Sequence, residues 1–153
     1  MTDAPAVHDR FTIERTFPHP PAKVFAAFAT EEGKRRWFSG PNDLWDLVDR
    51  EFDFSVGGIE TIEGRWKSGT VTRMDLVYHD IVPDRRIVYA YRMTIDGKVI
   101  SVNLATLEFA AKGQGTSFTL TEYGSYLDGF EDKGGREHGT TALIDKMGET
   151  LPV

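Results

Sequence analysis

Cysteine is missing from the 153-residue chain. Its absence excludes a disulfide framework, a thiolate nucleophile and cysteine-type zinc ligation, and leaves an apolar core to hold the fold. It fits a reducing compartment, so a cytoplasmic location is expected. Positive charge is in deficit: 18 Lys and Arg stand against 24 Asp and Glu, for a net charge of -6 and a pI near 5.2. Such a surface repels nucleic acid and anionic membrane unless a local basic patch overcomes it, and the chain shows none. No stretch approaches the roughly 18 apolar residues of a membrane span. Met1 to Asp9 lacks the basic start and apolar run of a signal peptide. Histidine is scarce, and His8, His19, His79 and His138 share no metal-ligand spacing. Gly64 to Thr70 has the glycine spacing of a phosphate loop, but Thr70 stands where the lysine belongs, so a turn between strands is the better reading. Asp49, Glu51 and Asp53 alternate along one strand face without the glycine of a calcium loop, which reads as a solvated face. Neither a metal nor a cofactor is expected.

What is present, 40% hydrophobic and 27% charged residues, suits one globular domain over residues 10–153 behind a flexible N-terminus, 1–9. From Arg10 to Phe17, Phe11, Ile13 and Phe17 alternate with Thr12, Glu14 and Thr16, the period of a half-buried strand. Pro18, Pro20 and Pro21 end it. Val24, Phe25 and Phe28 then share one side of a helix predicted over Pro21 to Ala29. A second short helix follows around Gly33, carrying Lys34, Arg35 and Arg36 outward and Trp37 and Phe38 at its end. Beyond Gly40-Pro41 the texture is of strands broken at Gly57-Gly58, Lys67-Ser68-Gly69, Pro83-Asp84, Asp96-Gly97 and Gly113-Gln114-Gly115, with Asp96-Gly97 the best hairpin signal. A glycine-rich connection, Gly124 to Gly135, leads to a last helix from about Gly135 to Leu151. The order predicts an α+β domain, a curved antiparallel sheet with its helices on one face. A gap between the long helix and the sheet is where function is expected.

The periodicities nominate residues for that gap. On the last helix Leu143, Ile144, Met147 and Leu151 form a stripe that also holds Arg136 and Thr140, whereas His138 points away. Arg136 either reaches the rim or pairs with an acid inside. Phe118 and Leu120 continue in phase to Glu122; Ile100, Val102 and Leu104 continue to Thr106 and Glu108. Either glutamate could face the core, or both could lie at wet strand ends, and one bulge would reverse the assignment. Ile87, Tyr89, Tyr91, Met93 and Ile95 share one face of their strand, an apolar wall with polar tips that Met74 and Tyr78 would extend. The same residues would serve ordinary packing.

Taken together, several motifs resemble one family. Phe11 to Phe17, the helix around Val24 to Phe28, Trp37 and Val56-Gly57-Gly58 are similar to the opening half of the bacterial family related to the C-terminal domain of the Hsp90 ATPase activator, a branch of the START-like, helix-grip superfamily. Tyr78 to Tyr89, Ser101 to Phe109, Gly115-Thr116, Leu120 to Glu122, Leu127-Asp128-Gly129 and Arg136 to Gly139 resemble its second half. The resemblance implies a helix-grip fold of about seven antiparallel strands around a long C-terminal helix, with two short helices after the first strand. It also implies a cavity for hydrophobic small molecules. The activator's co-chaperone role is not implied, since that protein carries a further domain.

The resulting expectation is a protein that binds a small apolar or amphipathic molecule between sheet and last helix. The proposed ligand-binding residues are Trp37, Met74, Tyr78, Tyr89, Tyr91, Met93, Val102, Leu104, Glu122, Phe130, Arg136, Thr140, Leu143 and Met147. A second reading is a cofactor-independent enzyme of the polyketide cyclase or hydrolase type, with Glu122 as general base and Arg136 or Tyr91 stabilising an oxyanion. A third is a chaperone-linked interaction module using Trp37-Phe38 beside Lys34, Arg35 and Arg36 as a docking patch. The loop Gly124 to Gly135, with Tyr126, Leu127 and Phe130, is expected either to cap the cavity mouth as a lid or to pack statically on its own side chains. No nucleic-acid partner and no membrane insertion are expected; a homodimer is left open.

Overall fold

The computed structural model describes residues 4–130 and 134–152. Among these residues seven strands form one antiparallel sheet: β1 (Val7–Phe17), β2 (Trp45–Phe52), β3 (Ile59–Trp66), β4 (Val71–Val82), β5 (Arg86–Ile95), β6 (Lys98–Lys112) and β7 (Gly115–Tyr126). Their order is β1-β7-β6-β5-β4-β3-β2, so β2 to β7 is a meander that β1 completes beside β7. Helices α1 (Pro21–Ala29) and α2 (Glu31–Arg35) follow β1, and α3 (Gly135–Thr150) follows β7. This is the helix-grip arrangement expected from the sequence.

Local chemistry sets the boundaries. Pro21 opens α1, where a missing N–H costs nothing, and Val24, Phe25, Ala27 and Phe28 form its buried side. Thr30 caps α2 by accepting from the Gly33 N–H at 3.0 Å. The β5–β6 turn places Asp96 and Gly97 at φ 50° and 81°, the paired left-handed residues of a tight hairpin. β1 starts at Val7, three residues before the expected Arg10, because β7 runs on to Tyr126 and offers Val7, His8 and Asp9 a partner strand. Gly124 therefore lies inside β7, and the connection to α3 begins at Leu127; its residues 131–133 lie outside the described residues.

One irregularity reassigns a whole strand. Met93 pairs with Ser101 but Thr94 pairs with Val99, so Ile100 is the extra residue of a bulge between β5 and β6. Past it, Ser101, Asn103, Ala105, Leu107 and Phe109 face inward and are buried, and Val102, Leu104 and Glu108 face out. The alternation read from Ile100 through Leu104 to Glu108 is thus inverted beyond the bulge. On β7 no bulge intervenes, and Phe118, Leu120 and Glu122 share the inner face as read.

The core occupies one end of the concave face. Phe25 and Phe28 of α1 meet Phe109 and Phe118 with ring centroids 5.3 to 5.7 Å apart. Each fully buried aromatic of this kind contributes about 1.5–3 kcal/mol. α3 lays Ile144 and Met147 on this core, and Asp145 accepts from Arg15 of β1 at 2.7 Å. With α1 filling one end and α3 crossing above, the rest of the trough stays open beneath the helix.

Candidate functional site

A cavity of about 850 Å³ lies between the concave face, the segment after α2, and α3. Its walls are mainly apolar and rich in aromatic rings, and all three tryptophans line it. Trp37 is 4% exposed, donates from Nε1 to the Ala27 carbonyl at 3.0 Å and meets Phe28 edge-on. Trp45 and Trp66 are register partners on β2 and β3. Trp66 is oriented by its Nε1 donation to Thr72 Oγ1 at 3.0 Å. Trp45 lies against two glycines: a Cβ at Gly64 would fall 1.8 Å from its Nε1, and one at Gly40 would fall 2.4 Å from its Cγ. Only glycine leaves room for the indole there. Ile62, Met74, Met93 and Leu143 complete the apolar lining.

A buried polar cluster closes one end. Glu122, 2% exposed, accepts through Oε2 from the Tyr91 hydroxyl at 2.8 Å and from Asn103 Nδ2 at 3.2 Å. Arg136, from the first turn of α3, donates to Tyr91 Oη at 3.1 Å, Asn103 Oδ1 at 3.0 Å and Ser101 Oγ at 3.0 Å. Its guanidinium also lies over the rings of Tyr91 and Tyr126. Burial, and then the charge of Glu122, push the Tyr91 hydroxyl well above the usual phenol range, with Arg136 opposing. Burial alone would lower Arg136, but Tyr91, Tyr126 and Glu122 outweigh it and the group is held firmly protonated.

A second buried pair stands apart from this cluster, with its lysine on the cavity lining. Lys34 of α2 donates to Glu60 of β3 at 3.0 Å, and Tyr78 donates to the same oxygen. Lys34 is 6% exposed, with its ammonium 4.5 Å from the centre of the Phe38 ring. Between the two clusters Tyr89 lines the cavity, and its hydroxyl has no hydrogen-bond partner among the described residues. Burial, with the charges of Glu122 and Glu60, pushes that phenol up too, so it stays a donor.

Of the residues nominated from the sequence, Trp37, Met74, Tyr89, Tyr91, Met93, Glu122, Arg136, Thr140 and Leu143 line the cavity. Five do not. Tyr78 and Met147 belong to the packed core. Val102 and Leu104, 50% and 46% exposed, lie on the outer face because of the bulge. Phe130 sits beside Lys98, away from the cavity lining, where the connection from β7 turns back over the β5–β6 hairpin. Tyr126, read as part of the loop from Gly124 to Gly135, is a buried strand residue. Glu108 is exposed. The docking patch is also absent, since Trp37 and Lys34 both turn inward and only Arg35 and Arg36 face out, paired with Glu31 and Glu32.

Sequence reasoning missed Ser101, Asn103, Trp45, Trp66, Lys34 and Lys146. For Trp45 the trace in the sequence was Gly40 and Gly64, the two glycines that make room for its indole; for Ser101 and Asn103 the signal was hidden by the bulge. No histidine lines the cavity, and among the described residues no group of His, Asp or Glu could hold a metal ion. No described helix is long and apolar enough to cross a membrane.

Comparison with known proteins places the chain. Residues 18–152 match the family described as Activator of Hsp90 ATPase homolog 1-like protein. The crystal structure of the Mll3558 protein from Rhizobium loti is 40% identical, with TM-score 0.87, covering 95% of this chain and 99% of that one. A Rhizobium leguminosarum protein is 37% identical, with TM-score 0.91 and 96% of each chain covered. DynU16, a protein of the dynemicin biosynthetic locus, shares the fold at 12% identity and TM-score 0.67, over 94% of this chain and 47% of its own. No curated protein matches.

Proposed function

Since the chain belongs to the Activator of Hsp90 ATPase homolog 1-like family, a START-like group, we propose that it binds a small amphipathic molecule in the cavity between sheet and α3. The observation that carries this reading is the Tyr89 hydroxyl, a donor without a protein partner set in an aromatic wall. That hydroxyl opens into the cavity rather than being sealed in protein, so an acceptor on a bound molecule can take its hydrogen bond, a net gain of about 0.5–1.5 kcal/mol. The volume is of the size that encloses a drug-like ligand. The Glu122, Tyr91, Asn103, Ser101 and Arg136 network gives the pocket a polar end whose groups are already bonded to one another, so it orients a ligand without demanding a charge from it.

Native mass spectrometry of protein purified from its own source, together with a thermal-shift survey of apolar ligands, tests the proposal. A retained small molecule and a raised melting temperature are expected. An empty protein that no ligand stabilises would refute it.

Glu122 favours a second reading, an enzyme of the cyclase or hydrolase type, because a carboxylate, a phenol and a guanidinium meet in one cavity. Glu122 would then be the general base and Arg136 with Tyr91 the oxyanion donors. Activity on a candidate substrate that survives Glu122→Gln would remove this reading.

A further inference from the structure

Four cationic side chains line the cavity among the described residues, and three are already compensated. Lys34 is bonded to Glu60 at 3.0 Å. Arg73 meets Asp75 at 3.1 Å and Asp49 and Glu63 at 3.4 Å. Arg136 is tied through Tyr91 and Asn103 to Glu122. Lys146 of α3 differs: among the described residues its ammonium donates only to Ser39 Oγ, at 3.4 Å, and no carboxylate pairs with it. A ligand anion placed elsewhere would meet a cation that already has its carboxylate, and would gain little for its own desolvation.

The position of Lys146 adds to its charge. Ser39 directly precedes Gly40, whose Cα lies under the Trp45 indole. The unpaired ammonium and the most tightly slotted ring of the cavity therefore share one corner, where the segment after α2 meets α3. The Trp45 indole, packed against Gly40 and Gly64, is held in one place, and the part of it that lines the cavity favours edge or offset contact with another planar ring over a flexible chain.

We propose that the ligand is a planar aromatic carboxylate, its ring against Trp45 and its anionic group at Lys146. This rests on the cavity-binding reading above and specifies its ligand class. The carboxylate replaces Ser39 as the main acceptor for the ammonium, as a charge-assisted hydrogen bond.

Displacement of Nile red, a neutral reporter of cavity occupancy, by three competitors tests the assignment: 2-naphthoate, its neutral counterpart 2-naphthalenemethanol, and dodecanoate, a carboxylate without a ring. For the unaltered protein 2-naphthoate should compete about tenfold better than the alcohol, an advantage of the size one charged hydrogen bond supplies, and better than dodecanoate, which has the carboxylate but no ring to set against Trp45. Lys146→Gln should abolish the advantage of 2-naphthoate over the alcohol, the competition by the alcohol itself serving as the control for an intact cavity. Gly64→Ala, which forces Trp45 from its slot, should weaken 2-naphthoate and spare dodecanoate. Equal competition by naphthoate and the alcohol, or a preference that survives Lys146→Gln, would overturn the anion site. Dodecanoate competing as well as naphthoate would overturn the aromatic assignment. In each of these cases bound Nile red keeps the cavity reading intact; a protein that takes up neither Nile red nor any competitor overturns both.

Discussion

Two tyrosine hydroxyls, two residues apart on β5, face the same cavity with opposite obligations. That of Tyr91 is engaged on both sides, donating to Glu122 at 2.8 Å and accepting from Arg136 at 3.1 Å. That of Tyr89 has no protein partner among the described residues. Removing the first leaves a buried carboxylate and a guanidinium each short of a bond, so Tyr91→Phe is expected to cost about 1–3 kcal/mol. Tyr89→Phe, which breaks no protein contact, is expected to cost under about 0.5 kcal/mol. Urea denaturation of the unliganded variants checks the contrast, and equal losses would mean that Tyr89 is bonded internally. Glycine decides the other wall. A methyl group at Gly64 cannot coexist with the Trp45 ring in place, so Gly64→Ala is expected to alter tryptophan emission and cost about 1–3 kcal/mol through displaced packing.

At the scale of elements, the cavity depends on how two helices are tied to the sheet. α2 has five residues, too few to persist alone, and Lys34 bonded to Glu60 fastens it to β3. Lys34→Met would leave Glu60 buried with Tyr78 as its remaining hydrogen-bond partner among the described residues, at a cost of about 3–5 kcal/mol, whereas Lys34→Met combined with Glu60→Gln should recover much of that loss. A double-mutant cycle in urea measures the difference; simple additivity would show the pair to be uncoupled. α3 is tied to β1 by Arg15 and Asp145, and the hydrogen bond from Arg15 holds the Asp145 carboxyl below its usual range. A depressed carboxylate contributes stability at neutral pH that is lost as pH falls through its folded-state value. Both groups are well exposed, so Asp145→Asn should be less stable by at most about 0.5 kcal/mol at pH 7, with the gap closing in acid. The elements were also what the sequence showed best. Pro21 and the apolar spacing of Val24, Phe25 and Phe28 marked α1, Asp-Gly marked the β5–β6 turn, and unbroken alternation put Glu122 inside. What alternation could not show was the single extra residue at Ile100, which turns Val102 and Leu104 outward and brings Ser101 and Asn103 to Arg136. Nor could local charge reveal that Lys34 points inward, because its partner Glu60 lies 26 residues away in the chain.

For the whole molecule, the sheet has two faces with different duties. Its concave face holds the core and the cavity, and its outer face carries exposed Val102, Leu104 and Tyr123. If the cavity is the binding site, occupancy must stabilise the fold by mass action and must be felt by groups on the inner face alone. The three indole N–H groups and the backbone amides of Val102, Leu104 and Tyr123 provide reporters of each face. The most direct measurement is a titration with Nile red followed by proton–nitrogen correlation spectra of uniformly labelled protein. The expected result is that the indole resonances of Trp45 and Trp66 move saturably while the outer-face amides stay in place; stationary indoles, or shifts confined to Val102, Leu104 and Tyr123, would contradict a ligand-binding cavity between the sheet and α3.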